Sequence, residues 1–179
     1  PGGFSYGDYL RSGAIARYSP VMTEVIRRAK LGMPVIGICN GFQILTESGL
    51  LPGALTANDS MKFVCRTVTL RAETTNSPWL NKFAKSELSR MPIAHGEGRF
   101  VADDDTLKSL NDQDRVAFRY ANDQGKVSAD ANPNGSLENI AGVLNEKRNV
   151  LGMMPHPERV IEPILNGTDG RKIFQSLVE

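Results

Sequence analysis

The pentapeptide Gly37-Ile38-Cys39-Asn40-Gly41 constrains this chain more than any other stretch. An apolar run, Pro34 to Cys39, enters it, and Phe42-Gln43-Ile44-Leu45 leaves it at once toward a stop at Gly49. A short apolar run reads as a buried strand, and its abrupt passage into helical spacing demands a sharp turn. The G-x-C-x-G spacing is the thiol counterpart of the nucleophile elbow. Small neighbours let the chain approach itself and a substrate closely. The following helix offers free N–H groups and partial positive charge, which are expected to lower a thiol pKa toward neutrality. The Asn40 N–H is then placed to donate to a developing oxyanion. The competing reading is a buried cysteine serving as a small hydrophobe at a strand end.

The surrounding pattern extends the α/β grammar. Ser19-Pro20 reads as an N-cap and first helical position, Val21, Met22, Val25, Ile26 and Ala29 follow helical spacing, and Gly32 ends the helix. Helix, strand, turn, helix argues for a parallel sheet with crossover helices. The middle is more β-rich. Val68, Leu70 and Ala72 alternate with polar residues, as do Val116, Phe118 and Tyr120, while residues 140–144 and 150–154 flank a hairpin turn at Asn145–Asn149. A terminal helix is expected, capped by Asp169, with Ile173, Phe174, Leu177 and Val178 on one face. No linker-like composition divides the chain, so residues 1–179 read as one domain.

A thiol nucleophile needs a base and an orienting partner. The chain has two histidines. His156 lies in Pro155-His156-Pro157-Glu158, where the prolines restrict the backbone and Glu158 can hold the imidazole in one tautomer. Cys39, His156 and Glu158 form a candidate triad, against the plainer reading of a loop histidine beside a surface glutamate. His95, in Ala94-His95-Gly96-Glu97-Gly98, sits where two glycines open the backbone to a ligand. Gly2-Gly3 can offer an N–H to an anion. Cys65 lies in a β-rich stretch without turn or helix start and reads as structural. None of the Cys, His and Glu spacings matches a zinc pattern, so no metal is expected.

Composition narrows the classes. Lys plus Arg (21) against Asp plus Glu (20) leaves a net charge of +1, which argues against a nucleic-acid binder driven by bulk charge. No apolar run approaches the ~20 residues of a membrane span. Two cysteines make no disulfide scaffold and favour a reducing, cytoplasmic setting.

These segments together resemble the class I, triad-type glutamine amidotransferases. Pro1-Gly2-Gly3, then G-x-C-x-G-x-Q from Gly37 to Gln43, then Pro155-His156-Pro157-Glu158 occur in that family's order. The strings GFSYGD, AHGEGRF and NPNGS are similar to the branch of glutaminase subunits of phosphoribosylformylglycinamidine synthase. The resemblance implies a flavodoxin-like α/β fold: a mostly parallel central sheet flanked by helices, plus a small antiparallel portion. It implies Cys39 as nucleophile, His156 as proton shuttle oriented by Glu158, and an oxyanion hole from the N–H groups of Gly3 and Asn40. Gln43 and the backbone of Ala94, His95 and Gly96 would hold glutamine. Ammonia would pass to a synthetase subunit that carries ATP and Mg, a small third subunit being allowed, with no cofactor on this chain. No Walker-type G-x-x-x-x-G-K-[ST] occurs in it. The family's fold also implies a strand, a helix and a strand ahead of Pro1, so an N-terminally truncated domain with an exposed apolar sheet edge is expected. Two other readings compete: a catalytically silent binding module of this fold, and an independent thiol hydrolase of related fold. The Arg11–Arg17 segment is a candidate partner surface, against the plainer reading of a solvated face.

Overall fold

The computed structural model describes residues 3–178. Helix α1 (Pro20–Lys30) starts as the sequence expects: the Met22 N–H donates to Ser19 Oγ at 3.4 Å, and proline takes a position where no N–H is needed. Strand β1 (Val35–Ile38) and helix α2 (Asn40–Glu47) meet at Cys39. There follow β2 (Ala54–Thr56), β3 (Val64–Ala72), β4 (Leu88–His95) and β5 (Arg99–Val101). Helix α3 (Asp104–Asp112), β6 (Val116–Ala121), β7 (Ile140–Leu144), β8 (Val150–Met153) and α4 (Arg171–Val178) complete the order. The sequence reading passed over α3, although Asp103 caps it by accepting from the Thr106 N–H at 2.7 Å and Asp104 and Asp105 occupy its first turn.

Six strands form the main sheet in the order β1-β8-β7-β6-β3-β4, and β2 and β5 pair separately. The α/β class holds, but the balance of directions differs from expectation. Among the described residues only β1 and β8 run parallel, Val35 opposite Val150 through Ile38 opposite Met153. The neighbouring pairs β8–β7, β7–β6, β6–β3 and β3–β4 are all antiparallel. The reason is connection length. Five residues, Asn145–Asn149, join β7 to β8, and a link that short can only return the chain beside itself.

Both faces of the sheet are covered. Leu70, Met91, Ile93, Phe118 and Leu151 belong to one apolar cluster. Phe42, Phe100, Leu110, Val143 and Val150 belong to the other. Strands β7 and β8 are therefore buried throughout, which is why both read as unbroken apolar runs rather than alternations. The buried Asn149 amide donates to the carbonyls of Ala29 and Met33 at 2.9 and 2.8 Å, tying the end of α1 to the start of β8. Strands β1 and β4 are the edges of the described sheet, and Val21 on α1 and Leu31 at its C-terminal cap are exposed. Asp169 does not cap α4 by its carboxylate as expected. It accepts instead from the Arg90 N–H at 2.7 Å, holding α4's approach against β4. Ile173 is buried, whereas Val178 turns to solvent.

Candidate active site

Cys39 carries the strained geometry that its motif demands. Its φ of 52° and ψ of −106° lie where a side chain is rarely found. The residue is pinned on both sides: its N–H donates to Met153 O at 2.8 Å, and its carbonyl accepts from Phe42 and Gln43 at the start of α2. Glycine at position 37 is required by close approach. A Cβ there would lie 2.6 Å from the Gly41 backbone and 2.5 Å from Leu45 Cδ1.

The backbone N–H groups of Asn40 and Gly3 both bear on the Cys39 sulfur. Gly3, far from Cys39 in sequence, lines the same cavity as Cys39, while Asn40 follows it directly at the start of α2. Pro1 and Gly2 of that turn lie outside the described residues. One expectation is reversed. Burial, the largest influence, pushes the Cys39 thiol above its ordinary pKa, and the N–H groups of Asn40 and Gly3 and the Arg159 charge only partly offset it. A thiol raised in this way calls for a base to take its proton.

His156 is buried, with its own N–H donated to Pro92 O at 2.8 Å. Its Nδ1 meets Glu158 Oε1 at 2.6 Å, within a 3-10 turn over Pro157–Arg159 that brings the two side chains together. The pair fixes the imidazole with Nδ1 as donor, leaving Nε2 as the free acceptor, and that atom is buried without a partner among the described residues. Burial raises the Glu158 carboxyl, but the hydrogen bond and charge of His156, its own N–H and the Arg159 charge together outweigh this and hold it below the ordinary range.

A cavity of about 330 Å³ opens onto Cys39. That is within the roughly 300–1,000 Å³ common for small-molecule sites. Gly3, Gln43, Ala94, His95 and Gly96, all expected from the sequence, line it, together with Phe4, Asp8, Tyr9, Ser12, Phe63 and Glu97. Gln43 Nε2 donates to Glu97 O at 2.5 Å and Gln43 Oε1 accepts from Asn40 Nδ2 at 3.0 Å, so Gln43 braces the wall that it was expected to share. Asp8 is a residue that motif reasoning missed. It accepts from Ser5 N and Gly13 N on its own segment and from Asn40 Nδ2 across the turn. Ser12 Oγ donates to Glu97 Oε2 at 2.7 Å, closing the segment onto the far wall. Isolated loop polars have no periodicity to announce them, so only the quoted string GFSYGD touched Asp8. Arg11 and Arg17 are spent within the chain, on the Glu47 carboxylate and carbonyl. Cys65 lies exposed near the start of β3 and does not line the cavity. A larger cleft of about 620 Å³, lined in part by Lys30, Leu50, Arg115 and Lys147, holds none of the expected residues.

The domain model described as the CobB/CobQ-like glutamine amidotransferase domain matches residues 1–175. The phosphoribosylformylglycinamidine synthase subunit PurQ of Koribacter versatilis is 60% identical over 178 residues, covering 99% of this chain and 77% of the relative. Its counterpart from Methanosarcina acetivorans is 58% identical over 179 residues, 100% of this chain and 77% of the relative. A chain in the structure of PurLQS from Thermotoga maritima superposes with a TM-score of 0.86 at 49% identity, covering 99% of this chain and 76% of that one.

Proposed function

The chain belongs to the CobB/CobQ-like glutamine amidotransferase family, and from that premise we propose that it is the glutaminase subunit of a phosphoribosylformylglycinamidine synthase. The observation that carries this reading is the strained elbow at Cys39, opening onto a cavity that Gly3 also lines, with buried His156 held to half-buried Glu158 at the neighbouring parallel strand's exit.

His156 Nε2 takes the Cys39 proton, and the thiolate attacks the side-chain carbonyl carbon of glutamine. The oxyanion accepts from the N–H groups of Gly3 and Asn40. As the tetrahedral adduct collapses, the carbon–nitrogen bond breaks and His156 returns the proton to the departing ammonia, leaving a γ-glutamyl thioester. Water then gives a proton to His156 and its oxygen to the thioester, releasing glutamate and restoring the thiol. Glu158 keeps the imidazole oriented and stabilises its positive form in both halves. Glutamine and water give glutamate and ammonia.

The ammonia serves a separate synthetase subunit, on which ATP and Mg act, with a small third subunit in the assembly. This chain carries no cofactor in that scheme. The setting is the cytoplasm, where purines are made. None of the described helices is long and apolar enough to cross a membrane. The test is glutamine hydrolysis with and without the synthetase subunit, for the natural chain and Cys39→Ala. Turnover that rises with the partner and vanishes in the variant is expected. Turnover that survives Cys39→Ala would refute the assignment, and fast turnover indifferent to the partner would favour an independent hydrolase.

A further inference from the structure

Asn58 is fully buried and directs most of its hydrogen bonds to residues 95–98 on one wall of the cavity, its carbonyl accepting from Met61 N at 2.9 Å within its own loop. Its backbone N–H donates to Gly96 O at 2.9 Å. Its side-chain Nδ2 donates to His95 O at 2.9 Å and to Lys62 O at 2.8 Å. Its Oδ1 accepts from the Gly98 N–H at 3.1 Å and lies 3.2 Å from His95 Nδ1. These partners settle the amide's orientation, because two carbonyls can only face the nitrogen and a backbone N–H can only face the oxygen. His95 Nδ1 must then carry a proton. Its Nε2 is left as a bare acceptor, buried and without a donor among the described residues. An unconstrained imidazole in water favours the opposite tautomer. The ring is also clamped from the side, since a Cβ at Gly98 would fall 2.3 Å from His95 Cε1.

We propose that Asn58 is a positioning residue of the glutamine site, acting through His95: it holds that ring as the neutral Nδ1–H tautomer and so sets the backbone of residues 95–98 that walls the cavity. This rests on the reading of the cavity as the glutamine site. Burial, reinforced by the charge of His156, lowers His95 to about 4, in keeping with a ring that stays neutral. The wall includes Glu97 O, the acceptor for Gln43. The triad stands on other elements, Cys39 at the β1–α2 turn and His156 and Glu158 beyond β8. Loss of Asn58 therefore disturbs the grip on glutamine more than the chemistry.

The first measurement is the imidazole nitrogen spectrum of the ¹⁵N-histidine chain at pH 7, with His95 assigned by the His95→Gln variant. A protonated Nδ1 and bare Nε2 are expected for His95. The second is glutaminase kinetics of the complex with the synthetase subunit. Asn58→Ala should raise KM for glutamine at least tenfold with kcat within threefold, and Asn58→Asp should make His95 doubly protonated in the spectrum. A wild-type His95 protonated on Nε2 overturns the proposal, as does an Asn58→Ala variant that loses kcat while KM stays within twofold. If Asn58→Ala does not fold, the wild-type spectrum decides. An active wild-type complex with the wrong tautomer refutes this inference alone. A wild-type complex that hydrolyses no glutamine refutes the functional reading, and the positioning role with it.

Discussion

Replacing Glu158 by glutamine removes one negative charge and leaves an oxygen able to accept from His156. The native contact is 2.6 Å from His156 Nδ1 to Glu158 Oε1. Hydrogen bonds to charged groups contribute about 1.5–3 kcal/mol, and each 1.36 kcal/mol of barrier is tenfold in rate. The Glu158 side chain keeps 33% of its exposure, so solvent screens part of that charge and the lower part of the range applies. Glu158→Gln should lower kcat by roughly 10- to 50-fold with KM within about threefold. Glu158→Ala also loses the acceptor that selects the tautomer, so its kcat should fall further. The assay is initial glutamate release by the assembled complex at saturating glutamine, with thermal midpoints measured in parallel to exclude unfolding. Glu158→Gln turnover within twofold of the natural chain would refute the role assigned to the carboxylate. Equal losses in the two variants would refute the separation of charge from tautomer.

Gly37→Ala should destabilise the chain by about 1–3 kcal/mol through overpacking, since the new Cβ meets the Gly41 backbone at 2.6 Å; an unchanged thermal midpoint would contradict the tight elbow. His95, lowered from 6.5 to about 4, binds its proton more readily in the unfolded chain, so its contribution is complete above pH 6.5 and is lost as pH falls toward 4. That loss is about 3 kcal/mol, and denaturant unfolding of His95→Gln should show a correspondingly flatter pH dependence; parallel curves would contradict it. Glu158 has the ordinary carboxylate sign: its depressed pKa stabilises the fold above about 4.3 and the gain is lost as pH falls through the folded value. Glu158→Gln should therefore lose less stability than the natural chain between pH 5 and pH 3. Cys65→Ser should leave glutaminase turnover within twofold, because Cys65 is exposed on β3 and outside the cavity.

The site was legible where backbone strain and side-chain chemistry write themselves into residue type. Position 37 before Cys39 is glycine because a larger residue would meet the Gly41 backbone, and Pro155-His156-Pro157-Glu158 announces a restricted base and its carboxylate. Strands β7 and β8 were legible as apolar runs because both faces are covered. Sheet direction was not legible: β6 pairs with β3 on one side and β7 on the other through contacts that local patterning does not encode. Nor was the net rise in the Cys39 pKa. The helix start and the N–H donors are visible in the motif, whereas burial, which outweighs them, is a property of the packed chain. Asn58 and Asp8 escaped for a related reason: each acts through partners distant in sequence, and a lone polar residue in a loop carries no period.

The central claim is that Cys39 is the nucleophile for glutamine, and covalent trapping addresses it most directly. The assembled complex is treated with a glutamine-shaped electrophile, and the adduct is mapped by peptide mass spectrometry. Both cysteines of the chain are free thiols, one buried at the elbow and one exposed, so the choice between them is informative. A single adduct on Cys39 is expected, suppressed by glutamine and absent from Cys39→Ala. An adduct on Cys65 alone, or labelling that persists in Cys39→Ala, would contradict it.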